Sequence, residues 1–199
     1  MFASVDWGAY LSSNWYLFAL LLIVVLALFF GFRDRPARDS RSRMLGEKYR
    51  QMTPELLTDA PEEELVDAVI ANLHEKLDPH RPDPYRTIPP LSPGRCAVYA
   101  VWLLCHELDQ DGWEAFYAGP SACFDELARD GLLRIGATQC AAVVDRVLAY
   151  KPVTGDQPEL AELHADFLEA VEMETPLTLC AIYIRDHLDE FCDEEPPAE

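Results

Sequence analysis

The sequence predicts an all-α protein, a single N-terminal transmembrane helix followed by a compact multi-helix cytoplasmic domain. Three observations predict it. The run Trp15–Phe32 is apolar and carries no charge. Downstream, apolar residues recur at intervals of three and four, the helical period. No strand-period run of useful length occurs, and no internal repeat. The 199 residues hold 16 Lys and Arg against 35 Asp and Glu, a net charge of −19. Such a balance argues against direct nucleic-acid binding, because basic side chains supply most affinity for phosphate.

The first element is the span over 15–32. Its eighteen residues cover about 27 Å at helical rise, against a hydrocarbon core of about 30 Å. Thirteen are Leu, Ile, Val or Phe, which sum to roughly −6 kcal/mol on an insertion scale. Trp15 and Tyr16 sit where aromatic rings favour the headgroups. A cleaved signal peptide fits poorly, because Met1–Asn14 has no Lys or Arg and no small-residue cleavage site follows the run. Arg33, Arg35, Arg38, Arg41 and Arg43 follow the span, and positive flanks stay inside. The expected localisation is therefore the bacterial inner membrane, single-pass, with the N-terminus outside and the C-terminal domain cytoplasmic. In that compartment Cys96, Cys105, Cys123, Cys140, Cys180 and Cys192 are expected as free thiols.

The chain divides into a short non-cytoplasmic N-terminus (1–14), the span (15–32), a basic juxtamembrane linker (33–52), an acidic helical domain (53–192) and an acidic tail (193–199). Up to Arg50 seven bases face four acids; beyond it nine face 31, a net of −22. In the acidic domain, Asp59-Ala60-Pro61-Glu62 reads as a capped helix start, with Asp59 as the cap. Leu65, Val66, Val69, Ile70, Leu73 and Leu77 follow at helical spacing. A proline-dense connector spans Asp78–Pro93. A central helix covers about Gly94–Asp109. Gly112 breaks the chain before a short aromatic helix through Trp113, Phe116 and Tyr117, and Gly119-Pro120 breaks it again. Ser121 reads as the cap of a helix ending near Arg134, and Gly136 separates that from a helix over Gln139–Tyr150. After the loop Pro152–Pro158, helices are expected over Glu159–Glu172 and Leu177–Phe191, then a frayed tail from Cys192. The expected core is Leu103, Leu104, Leu108, Phe116, Phe124, Leu127, Leu133, Ile135, Val143, Val147, Leu163, Phe167, Leu179, Tyr183 and Leu188.

Few residues suggest catalysis. Cys105-His106-Glu107 is the densest reactive trio, yet adjacent helical residues point about 100° apart and cannot converge on one atom. A cysteine nucleophile would need a base from elsewhere, such as His106 or His164. Metal-ligand spacings, phosphate loops and nucleophile elbows are missing from the sequence. No catalytic residue, cofactor or metal is expected, and the protein is read as a non-enzyme. What remains is acidity. From Glu159 onward 13 acids face one base, Arg185. Glu62, Glu63, Asp67, Glu159, Glu162, Asp166 and Glu169 are the candidate partner-binding residues, since such density attracts basic proteins.

Three separated motifs carry a family resemblance. The first is Val101-Trp102-Leu103-Leu104-Cys105-His106-Glu107-Leu108-Asp109-Gln110-Asp111-Gly112-Trp113-Glu114-Ala115-Phe116-Tyr117. The second is Ile135-Gly136-Ala137. The third is Tyr183-Ile184-Arg185-Asp186-His187 with Phe191. Over about Leu56–Cys192 the chain resembles the bacterial DNA-mimic protein family, an all-helical domain, with an added N-terminal anchor. The family's Asn-Gly pair is replaced by Gln110-Asp111. A positive φ at Asp111 would be tolerable, since Asp visits the left-handed region more readily than most residues. The resemblance implies carboxylates presented where DNA presents phosphates. The motif residues Glu107, Asp111, Gly112, Trp113, Phe116, Ile135, Gly136 and Tyr183 read as fold determinants.

The expected function is a membrane-anchored acidic helical domain that binds a protein, its sharp form being DNA-mimic-like capture of a basic, DNA-binding partner. The alternative is a membrane-anchored scaffold or envelope-assembly adaptor without mimicry, and the third reading is an enzyme. The expected partners are the membrane and a protein, with no direct nucleic acid; a homo-oligomer is left open.

Overall fold

A computed structural model describes residues 41–77, 84–88, 90–150 and 158–193. The chain separates into two units, Met1–Met44 and Leu45–Glu199, and the architecture below is that of the second. Every regular element among its described residues is helical.

Helical turns over 45–48 lead in. Helix α1 (Pro54–Asp59) starts at Thr53, whose hydroxyl accepts from Leu56 N, with Pro54 in the first turn. Helix α2 (Glu62–Glu75) buries Leu65, Val66, Val69, Ile70 and Leu73 of the periodic set predicted for it, while Leu77 falls past its end and is only partly buried. Its expected cap differs. Asp59 ends α1, and Pro61 precedes α2 with no side-chain cap, so the acids Glu62, Glu63 and Glu64 of its first turn are what favours the helix dipole there. Part of the proline connector forms a one-turn helix, α3 (Pro84–Thr87).

Helix α4 (Pro93–Gln110) runs through the centre and buries Val98, Val101, Leu104 and Leu108 completely. Gly112 then starts α5 (Trp113–Ala118), which seats Trp113 and Phe116 in the core with their rings edge-to-face at 6.1 Å. A 3₁₀ turn over Pro120–Phe124 leads into α6 (Asp125–Ile135). Ser121 lies inside that turn and caps no helix; its hydroxyl donates to Glu107. Helices α7 (Thr138–Leu148), α8 (Pro158–Glu174) and α9 (Pro176–Asp186) complete the bundle. Helix α6 packs along α4, α9 along α2, and α8 along α7. The α4–α6 crossing depends on Gly131, where a Cβ would lie 2.9 Å from Ala97 O. The last predicted helix ends early. α9 stops at Asp186, and a 3₁₀ turn over Leu188–Glu190 redirects the chain toward the start of α4.

That redirection builds a latch. Glu190 accepts from Gly94 N and from the Tyr183 hydroxyl (2.8 Å), and Ser92 donates to the Glu190 carbonyl. Asp193, read from sequence as the start of an acidic tail, accepts from Arg95 (2.7 Å), Met52 N (2.9 Å), Asn72 (3.1 Å) and Lys76. Burial alone would raise the Asp193 pKa. Donation from Lys76, Met52 and Arg95 outweighs it and holds the carboxyl at about 2. Asn72, fully buried, also donates to the carbonyls of Tyr49 and Arg50.

Of the expected core residues, Leu133 is exposed, and Leu103, Leu127, Leu179 and Leu188 are only partly buried. The core instead extends to Tyr49, Met52 and Leu57.

The transmembrane helix expected over 15–32 lies outside the described residues, with the N-terminus 1–14, the linker over 33–40 and the tail beyond Asp193. No helix among the described residues is long and apolar enough to cross a membrane. The longest, α4, carries Arg95, Glu107 and Asp109 within its eighteen residues, and such charges oppose insertion. This finding overturns the expected localisation as a single-pass inner-membrane protein with a cytoplasmic domain, and the membrane is not retained as a partner.

Candidate functional site

Helix α4 turns one stripe outward. Trp102, His106 and Asp109 stand at i, i+4 and i+7, on one helical face. The Trp102 and His106 rings stack at 5.4 Å and 5°. His74 of α2 meets the Trp102 ring edge-on at 6.0 Å, and burial lowers its pKa below the ordinary imidazole value.

Two cavities meet at this tryptophan. One, of about 360 Å³, lies between α4, α8 and α9 and is lined by Trp102, Cys105, His106, Asp109, Phe167, Leu168, Val171 and the turn 175–178. The other, of about 430 Å³, lies between α2 and α9 and is lined by Glu62, Glu63, Val66, Asp67, Trp102, Leu177, Thr178 and Ala181. Trp102, Leu177 and Thr178 belong to both, so the cavities form one groove with an apolar arm and an acidic arm. Among the described residues neither arm is lined by Lys or Arg. Thr175, on the rim, has φ +46°, the one non-glycine residue in the left-handed region among those described. A β-branched side chain resists that conformation, so strain is held beside the groove.

The groove gathers three of the predicted partner-binding residues, Glu62, Glu63 and Asp67. The other four do not join them. Glu159, Glu162, Asp166 and Glu169 lie on a stripe of α8 roughly opposite its groove-lining Phe167, Leu168 and Val171, by the helical step of about 100° per residue. Asp166 is paired with Arg146 at 2.7 Å.

The family-motif residues make contacts within the fold. Glu107 takes the Ser121 hydroxyl. Asp111 is extended at φ −135°, so the turn needs no left-handed residue there, and Gly112 begins α5 at φ −90°. Ile135 is buried, and Gly136, at φ +87°, closes α6 with Ala137 N donating to Leu132 O (2.8 Å). The Tyr183 hydroxyl lies between Arg134 (3.2 Å) and Glu190. Arg185 donates to the carbonyls ending α1, including Thr58 O at 2.6 Å.

The trio Cys105-His106-Glu107 is not brought to one point. Burial pushes the Cys105 thiol up to about 12, His106 stacks on Trp102, and Glu107 is held by Ser121. His164 is 2.7 Å from Leu108 O and fastens the end of α4. No group of three or more His, Cys, Asp or Glu among the described residues has metal-binding geometry.

Trp102, Asp109, Leu168 and Leu177 are among the site residues that sequence reasoning missed. The signal was the polar register of His106 and Asp109 on an otherwise apolar helix, which marks Trp102 as outward-facing.

Fold and groove together define an all-helical acidic domain with an apolar and an acidic cavity meeting at Trp102. The chain belongs to the DMP19-like protein family, whose model matches residues 89–194, more than half of its length. Comparison with curated proteins and with solved structures gives no match.

Proposed function

We propose that this domain is a protein-binding module that captures a basic, DNA-binding partner by presenting carboxylates in place of phosphates. The observation that carries the reading is the groove at Trp102, whose lining includes the carboxylates of Glu62, Glu63, Asp67 and Asp109. A basic surface entering it is attracted by carboxylates carried on α2 and α4. The helical scaffold supports the reading, because the backbone that carries these carboxylates is already ordered before binding. Family membership supports it as well, through the mimicry that the resemblance implies. Under this reading the module is not an enzyme, and the Cys105 thiol, held protonated at neutral pH, performs no nucleophilic chemistry.

The test is capture of basic DNA-binding proteins by the immobilised full chain. Binding is expected to fall steeply as salt rises and to be displaced by duplex DNA. The triple variant Glu62→Gln, Glu63→Gln, Asp67→Asn is expected to lose most of it. Capture that is indifferent to both salt and DNA would refute the reading.

A further inference from the structure

The apolar arm of the groove adds something that phosphate mimicry does not require, and the inference drawn from it rests on the protein-binding reading above. Leu168 and Leu177 rim that arm at 39% and 42% exposure, over Phe167 and Val171. Carboxylates stand at its two ends, Asp109 at one and Glu62, Glu63 and Asp67 beyond Trp102 at the other. From Trp102 to Asp109 the floor runs about 10 Å along α4, two helical turns. An apolar middle between acidic ends complements a segment with an apolar middle and basic ends. The walls are helices and no strand edge occurs among the described residues, so the fitting mode is a helix laid in a groove.

We propose that the Trp102 groove takes a basic amphipathic helix of a partner protein. An apolar side chain of that helix inserts among Phe167, Leu168, Val171 and Leu177, and its Lys or Arg residues reach Asp109 at one end and Glu62 and Glu63 at the other. The apolar insertion selects among basic partners, since a uniformly charged surface gains nothing from that arm.

Two synthetic peptides of about four helical turns test this. One carries Leu at helical spacing among Lys residues, and the other has Ser in place of each Leu. Binding to the full chain is read by calorimetry. The Leu peptide is expected to bind about tenfold or more tightly than the Ser peptide, from burial of one side chain. Leu177→Ser, at an exposed position, is expected to remove most of that advantage, and Glu62→Gln with Glu63→Gln to weaken both peptides. Equal binding of the two peptides overturns the proposal and leaves capture by charge standing. So does a Leu advantage that survives both Leu168→Ser and Leu177→Ser. Self-association of the chain that Leu177→Ser abolishes, with no peptide bound, assigns the groove to a second copy and also overturns it. Failure of the charge reading has its own signature, salt-indifferent capture of the basic proteins, which these peptides do not measure.

Discussion

Asp193→Ala should be among the most damaging single changes in the domain. Its carboxylate is 11% exposed and faces the Arg95 guanidinium, itself 6% exposed, at 2.7 Å. Removing it leaves Arg95 buried with only the Phe191 carbonyl and Asn72 Oδ1 to accept from it. It also takes from Met52 N and Lys76 the acceptor that Asp193 provides, and from Asn72 one of its three. Breaking a buried pair from one side costs about 3–5 kcal/mol. Urea unfolding of the full chain, followed by circular dichroism, measures the difference. The pair also predicts a pH dependence. A carboxyl held at about 2, against an ordinary 3.8, binds its proton less readily when folded. Its contribution is therefore complete above about pH 4 and is lost as the pH falls toward 2. That contribution is about 2 kcal/mol, less where water reaches the rim, and the variant should lack it. Combining Asp193→Ala with Arg95→Met should recover at least about 1 kcal/mol of the loss, because the orphaned charge is gone. A loss under about 1 kcal/mol in the single variant, or an unchanged acid profile, would show that the latch carries no such weight.

Other perturbations separate local from long-range effects. Glu174 caps α7 from the end of α8, accepting from Gln139 N and Cys140 N, each at 2.9 Å. Burial pulls its pKa up, but those N–H groups pull harder and the net shift is downward. Glu174→Ala should thus cost about 1 kcal/mol at neutral pH, and the difference from wild type in thermal unfolding should shrink as acid protonates the cap. Gly131→Ala should destabilise by about 1–3 kcal/mol by forcing a methyl against Ala97 O. Gly136→Ala, with open space around its Cβ but φ +87°, should cost about 1 kcal/mol through backbone strain alone, both measured by chemical denaturation. Iodoacetamide at neutral pH should label the exposed Cys123 well before the partly buried Cys105; rapid labelling of Cys105, read by mass spectrometry, would contradict its raised pKa.

Much of the helical order was legible because its signals are local. The spacing of Leu65, Val66, Val69, Ile70 and Leu73 is a property of one helix, and all five face the core. Gly112, Gly119, Gly136 and Pro176 end or begin elements where the sequence places breaks. Local signals failed where a distant partner competes for the same group. Asp59 looks like a cap, yet the chain there closes α1, whose last carbonyls are taken by Arg185, more than 120 positions away. Ser121 looks like a cap, and Glu107 claims its hydroxyl. Leu133 fits the apolar period of α6 but falls on its outward edge.

Composition and periodicity were enough to establish an acidic, all-helical domain and its main breaks, and three short motifs carried the family resemblance. These depend on interactions within a few residues, and they are printed along the chain. The groove at Trp102, the latch at Asp193 and the cap from Glu174 emerged only from packing. Each joins groups from separate helices, and which carboxylates share a face depends on how those helices cross. Spacing along one strand of text carries no record of that angle.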